Sequence, residues 1–106
     1  MKRTAAVLCV ALIGAAAAHA DGTAGLSVRS LAASCAACHG TEGHAVRGST
    51  IPPLAGLSRA EFRRQMQALR EGTRTAPRLM GQIALGFNDA QIEALALYFE
   101  QQRLTP

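Results

Sequence analysis

The chain has 106 residues, a formal charge of +4 and 49% hydrophobic residues, with three Cys and no Trp. This length holds one small domain. A nucleic-acid binder would carry a dense basic stripe, and the arginines here are scattered.

The first element is a leader. Lys2 and Arg3 form a short positive region, Thr4 to Ala17 is almost wholly apolar, and Ala18-His19-Ala20 supplies small residues where a signal peptidase cuts. That layout predicts a signal peptide over residues 1–20, cleaved after Ala20, and export to the periplasm. The apolar run is shorter than the ~20 residues of a spanning helix, so no membrane anchor is expected; the other reading is a retained N-terminal anchor. Cys9 lies inside the run and leaves with it. The predicted mature domain, residues 21–106, keeps nine Arg, no Lys and seven acids, a charge of +2. So small a domain buries little core of its own. Its large side chains are few, namely Phe62, Phe87, Tyr98 and Phe99, and Cys35 and Cys38 alone make no disulfide framework. A bound cofactor is the natural apolar body to fill its centre.

Three main helices are predicted, and no strand. The first runs from about Leu26 to Cys38, with Leu31, Cys35 and Cys38 on one face, and stops at Gly40. The second starts at Ser58, where Ser58 and Glu61 fit a capping box and Leu57 and Phe62 a hydrophobic staple. Phe62, Met66 and Leu69 mark its apolar face, and Gly72 ends it. The third has Asn88 as N-cap, Gln91 reaching back to it and Phe87 stapling onto Ile92; Ile92, Leu95, Ala96 and Phe99 form its stripe, which should reach about Arg103. Between the helices lie two long connections, Gly40 to Gly56 with Pro52-Pro53, and Thr73 to Gly86 with Pro77. Long ordered loops usually wrap a ligand.

The chemistry is carried by Cys35-Ala36-Ala37-Cys38-His39, a C-x-x-C-H run that reads as a c-type haem attachment site. Two thiols three residues apart reach the two vinyl groups of one porphyrin, and the adjacent His39 ligates the iron beneath. Attachment takes place outside the cytoplasm, which agrees with the leader. A thioredoxin-like C-x-x-C needs a βαβ context. A zinc site needs four ligands, usually as two separated pairs, whereas Cys35, Cys38, His39 and His44 crowd into ten residues.

Met80 is the expected sixth ligand. It follows Pro77 in the irregular segment Thr75 to Gly81, from which a ligand can be delivered to the far side of the haem. Met66, on the apolar helical face, reads as core filler, and His44, five residues past His39, as a surface histidine. A thioether ligand favours ferrous iron and fills the sixth position, which argues for electron transfer and against catalysis at the iron. The rigid Pro52-Pro53 segment suits presentation of a carbonyl to the other nitrogen of His39; it reads equally as an extended linker. Arg70, Arg74 and Arg78 near Met80 form either a basic rim for an acidic partner or an ordinary solvated set.

These residues, in this order, resemble class I cytochrome c over nearly all of 26–104: helix, C-x-x-C-H, Pro-x-Leu-x-Gly at Pro52 to Gly56, middle helix, Met loop, and a C-terminal helix with aromatics. The resemblance implies a small all-α class I fold wrapped round one covalent haem c. It implies that Pro52 gives its carbonyl to His39, that Leu54 lines the pocket, and that Tyr98 or Phe99 packs on the first helix. The stretches Cys35 to Gly43, Ile51 to Gly56, Leu79 to Phe87 and Leu97 to Gln102 are similar to the cytochrome subunit of flavocytochrome c sulfide dehydrogenase. That likeness implies a non-catalytic subunit, expected to be monohaem because the sequence holds one C-x-x-C-H, and a partner flavoprotein that oxidises sulfide at FAD and a redox-active disulfide and passes electrons to the haem. The alternatives are a freely diffusing cytochrome feeding a terminal oxidase or other reductase and, from another class, a haem sensor or peroxidase with an open sixth site.

Overall fold

Alanine is the strongest helix former, and the alanine-rich stretch that ends at His39 folds accordingly. The computed structural model describes residues 17–75 and 77–102, with side chains from Ser27 onward; most of the predicted leader, residues 1–16, and the predicted helix end at Arg103 lie outside the described residues. Helix α1 spans Ala17–His39. It begins nine residues before the expected Leu26, because no proline interrupts the run and Ala17, Ala18, Ala20 and Ala24 offset Gly22 and Gly25, each of which costs ~1 kcal/mol.

Gly40 ends α1 with φ +88° and ψ 161°, a region that only glycine enters freely. A Cβ there would lie 1.8 Å from the His44 carbonyl oxygen. A 3₁₀ turn over Thr41–Gly43 follows. The Gly43 carbonyl accepts both Leu54 N–H at 2.9 Å and Ala55 N–H at 3.1 Å. A Cβ on Gly43 would meet Ala55 N at 2.8 Å and both Leu54 Cβ and Phe99 Cδ1 at 2.9 Å. The loop is thereby folded back on itself, and Gly56 N–H donates to Phe99 O at 2.9 Å.

Helix α2 spans Arg59–Glu71. Ser58 caps it by accepting Glu61 N–H at 3.2 Å, but the expected reciprocal half of the box is replaced. The Glu61 carboxylate accepts from Arg64 and Gln65 instead, because charged and amide donors one turn ahead are stronger partners than the Ser58 amide. The end of α2 is as predicted: Gly72 N–H bonds to Leu69 O and Thr73 N–H to Ala68 O.

The segment after Pro77 is helical, a correction to the expected irregular Met loop. Helix α3 spans Arg78–Leu85, and Met80 lies in its first turn. Proline just before a helix is compatible with it, since the missing N–H is an unpaired one in any case. Four helices therefore replace the three predicted, and no strand forms among the described residues. Helix α4 spans Asp89–Glu100, stopping short of Arg103; Asn88 and Gln91 complete the capping box at its start.

Helix α4 packs on both α1 and α2, and α3 packs on α2. Phe62, Met66 and Leu69 from α2, Ile92, Leu95, Ala96 and Phe99 from α4, Ala32 from α1 and Ala84 from α3 make one buried cluster, with Tyr98 against it. Helix α4 lies against α1, and Phe99 shares the buried cluster with Ala32 of α1. Phe99 stacks on Phe62 with ring centroids 5.6 Å apart and meets Tyr98 edge-on at 5.1 Å. Burying one such ring contributes about 1.5–3 kcal/mol.

Candidate functional site

Between the end of α1, the Pro52 loop, α2 and α3 lies a cavity of about 470 Å³, within the range of small-molecule and cofactor sites. Cys35, Cys38, His39, Pro52, Leu54 and Met80 all line it. The six residues singled out in the sequence are thus brought together from three separate segments.

Their positions follow from the local folds. Cys35, Cys38 and His39 occupy the last turn and a half of α1, so the helix itself sets their mutual spacing. The two cysteines are not joined to one another. Burial pushes the Cys35 thiol above its usual range, partly offset by a hydrogen bond with Ser34. His39 is only 7% exposed, and its Nδ1 lies 2.7 Å from Pro52 O. A carbonyl only accepts, so Nδ1 carries the proton and the Nε2 lone pair is left free to ligate a metal. Pro52 is therefore more than a linker.

The two methionines divide less sharply than their sequence contexts suggest. Met66 is buried in the helical core, as expected, yet one part of it also reaches the cavity wall. Met80 is half-buried in the same wall. His44 is half-buried and outside the cavity. Among the described residues no group of three or more His, Cys, Asp or Glu is gathered to hold a bare metal ion, so the zinc alternative has no geometry to support it.

The walls were only partly foreseen. Leu57, Phe62 and Leu69 have the pattern of staple and core, but the same faces also border the cavity, as do Ile83, Phe87 and Leu95. Ile83 stands one turn beyond Met80, a spacing that identifies it once α3 is known to be a helix. Thr50 and Gln65 add polar atoms that no motif announced. A flat, largely apolar macrocycle fits such a lining. Two thiols and a tautomer-fixed imidazole at one wall and a thioether at another are the donor set that a covalent haem requires.

A second groove of about 330 Å³ runs between the end of α2 and α3, and Arg70, Arg74 and Arg78 all line it. Arg70 is engaged with Asp89 at 2.6 Å. No helix among the described residues is long and apolar enough to cross a membrane.

The cytochrome c family model matches residues 28–103. The chain is 46% identical over 67 residues to the thiosulfate dehydrogenase electron acceptor of Stutzerimonas stutzeri, covering 61% of this chain and 31% of that protein. It is 31% identical over 99 residues to cytochrome c4 of Pseudomonas aeruginosa, covering 93% of this chain and 47% of the relative. It is 36% identical over 69 residues to the cytochrome subunit of sulfide dehydrogenase of Chlorobaculum tepidum, covering 65% and 60%. The chain thus spans between about a third and three-fifths of the length of these relatives.

Proposed function

The chain belongs to the cytochrome c family, and from that premise we propose that it carries single electrons through one haem c attached by Cys35 and Cys38 and ligated by His39 and Met80. The observation that carries the reading is the 2.7 Å contact between His39 Nδ1 and Pro52 O at the wall of the cavity that Met80 also lines. When bound, haem supplies an iron that gains and loses one electron.

The protein's own part is to hold that iron still and dry. The α1 turn fixes the two thiols and the imidazole on one side. The Pro52 carbonyl accepts a hydrogen bond from His39 Nδ1–H and stops the ring from turning. The Met80 thioether would serve as the second protein ligand to the iron, favouring its reduced state and leaving no site for oxygen or peroxide. Leu54, Leu57 and Phe62 exclude water from the faces. On this reading the chain is an electron-transfer protein and not an enzyme by itself.

The finer reading is a periplasmic monohaem subunit, released from its leader after Ala20, that accepts electrons from a sulfide-oxidising FAD flavoprotein and passes them to a downstream acceptor. Its support is the likeness to a cytochrome subunit of sulfide dehydrogenase and to a thiosulfate dehydrogenase electron acceptor. The competing reading, a freely diffusing cytochrome feeding a terminal oxidase, draws on the paired and unpaired arginines of the second groove, which suit charge-steered encounters. An absorption spectrum of the protein recovered natively at moderate salt, before and after dithionite, separates them. Sharp c-type bands with flavin near equal stoichiometry support the subunit. Haem bands without flavin favour the free carrier, and no haem bands overturn the electron-carrier reading.

A further inference from the structure

Helix α3 presents two different faces. Leu79, Met80 and Ile83 line the main cavity, whereas Arg78, Gly81, Gln82 and Leu85, spaced i, i+3, i+4, i+7, line the second groove of about 330 Å³ against the end of α2. The main cavity thus takes one side of α3 and leaves the other without a role. Helix α2 brings Arg70 and Glu71 to the groove, and Arg74 reaches it from the turn that follows. The charges gathered there are matched unequally. The Glu71 carboxylate accepts from Gln67 Nε2 at 2.7 Å. Arg74 is drawn electrostatically to Glu61 on the cavity side. Arg70 gives Nη1 to Asp89 at 2.6 Å, and its remaining donors make no further hydrogen bond among the described residues. The side chains of Arg78 and Gln82 have neither a hydrogen bond nor an ion pair among the described residues. The negative pole of α2 ends where the positive pole of α3 begins, so the two offset. The carbonyls of Ala68 and Leu69 are already taken by the N–H groups of Gly72, Thr73 and Arg74. The sign of the groove is therefore set by its guanidiniums, and it is positive.

We propose that this groove binds a divalent tetrahedral oxyanion of the sulfate or phosphate class, held between Arg78 of α3 and Arg70 of α2 with the Gln82 amide as a further donor. A guanidinium fork offers two parallel N–H donors that meet two oxygens of one such anion. Two forks and an amide satisfy several oxygens at once, which a single-atom anion such as chloride cannot use. Gly81 brings no side chain to the groove, so the space between the forks stays open. The site is distinct from the main cavity, and it stands or falls separately from the haem reading.

Isothermal titration calorimetry of the purified protein with sodium sulfate and with sodium phosphate tests this. Ionic strength is held constant with sodium chloride, because salt screens exposed charges and would otherwise mask a site. One saturable site per chain is expected. Arg78→Gln weakens it by roughly three- to tenfold, less than a buried charge would give because Arg78 is exposed. Arg78→Lys recovers only part of the loss, since an ammonium lacks the fork. Arg47→Gln removes the same charge from an exposed loop outside the groove and leaves the affinity unchanged. Should Arg78→Gln fail to fold, Gln82→Ala decides by the same titration, with a smaller loss expected. Saturable binding of sulfate alone or of phosphate alone upholds the site and names its ion. No saturable binding of either anion overturns the proposal, as does equal weakening in Arg47→Gln, which would report a diffuse field. Sodium acetate binding as tightly as sulfate also overturns it, in favour of an acidic side chain from a protein partner.

Discussion

His39 Nδ1 and Pro52 O, 13 residues apart, lie 2.7 Å from one another and join the end of α1 to the far side of its following loop. The bond fixes the imidazole at the cavity wall by a backbone atom, so no side chain at position 52 can replace its acceptor, but the rigidity of the ring at Pro52 determines how firmly that acceptor is held. Pro52→Gly is expected to keep covalent haem and to destabilise the holoprotein by about 1–2 kcal/mol, through greater freedom of the unfolded chain and a looser hydrogen bond. Guanidinium unfolding of the two holoproteins measures this.

His39→Ala is expected to yield no stable holoprotein, and Cys35→Ser a reduced amount of covalently attached haem, because one thioether remains possible through Cys38. A denaturing gel stained for haem reads both. Normal holoprotein from the His39 variant would sink the electron-carrier reading.

Met80→Ala should leave the haem attached, lower its potential and open the iron to carbon monoxide, while Met66→Leu should do none of these. The contrast matters because both methionines reach the cavity wall. Carbon monoxide binding by the unaltered protein, or by the Met66 variant alone, would move the sixth ligand away from Met80.

Phe99 is fully buried and stacked on Phe62 at 5.6 Å. Phe99→Ala leaves a void between α1, α2 and α4 and is expected to cost about 3–5 kcal/mol, read by thermal unfolding.

Glu61 sits below the usual carboxylate range, chiefly because Arg64 donates to it, with Gln65 second. Its folded-state pKa is lower than its unfolded one, so the ionised group stabilises the fold above the unfolded pKa, and that contribution fades as pH falls through the folded pKa. Glu61→Gln should therefore narrow the stability difference between neutral and acid pH. A difference between the two proteins that grows on acidification would contradict the sign.

The helical faces of Phe62, Met66 and Leu69 and of Ile92, Leu95, Ala96 and Phe99 were legible in the sequence because a 3.6-residue period and two N-caps agreed. The attachment residues were legible because their chemistry demands fixed spacing. Helix α3 was not. The segment Thr75 to Gly81 around Pro77 reads as irregular, yet Pro77 precedes the first turn, and at Gly81 a Cβ would come within 3.6 Å of Leu69 O on α2. Tertiary contact with α2 thus overrides a weak local propensity. The cavity walls were half legible for a related reason: a residue that covers a core and a residue that covers a cofactor have the same pattern.

The bond from Gly56 N–H to Phe99 O connects the Pro52 loop to the last turn of α4 across 43 positions of chain. A backbone segment so tethered cannot open on its own schedule. In native-state hydrogen exchange its amide should report the same opening event as the last turn of α4, making the Pro52 loop and that turn a single cooperative unit.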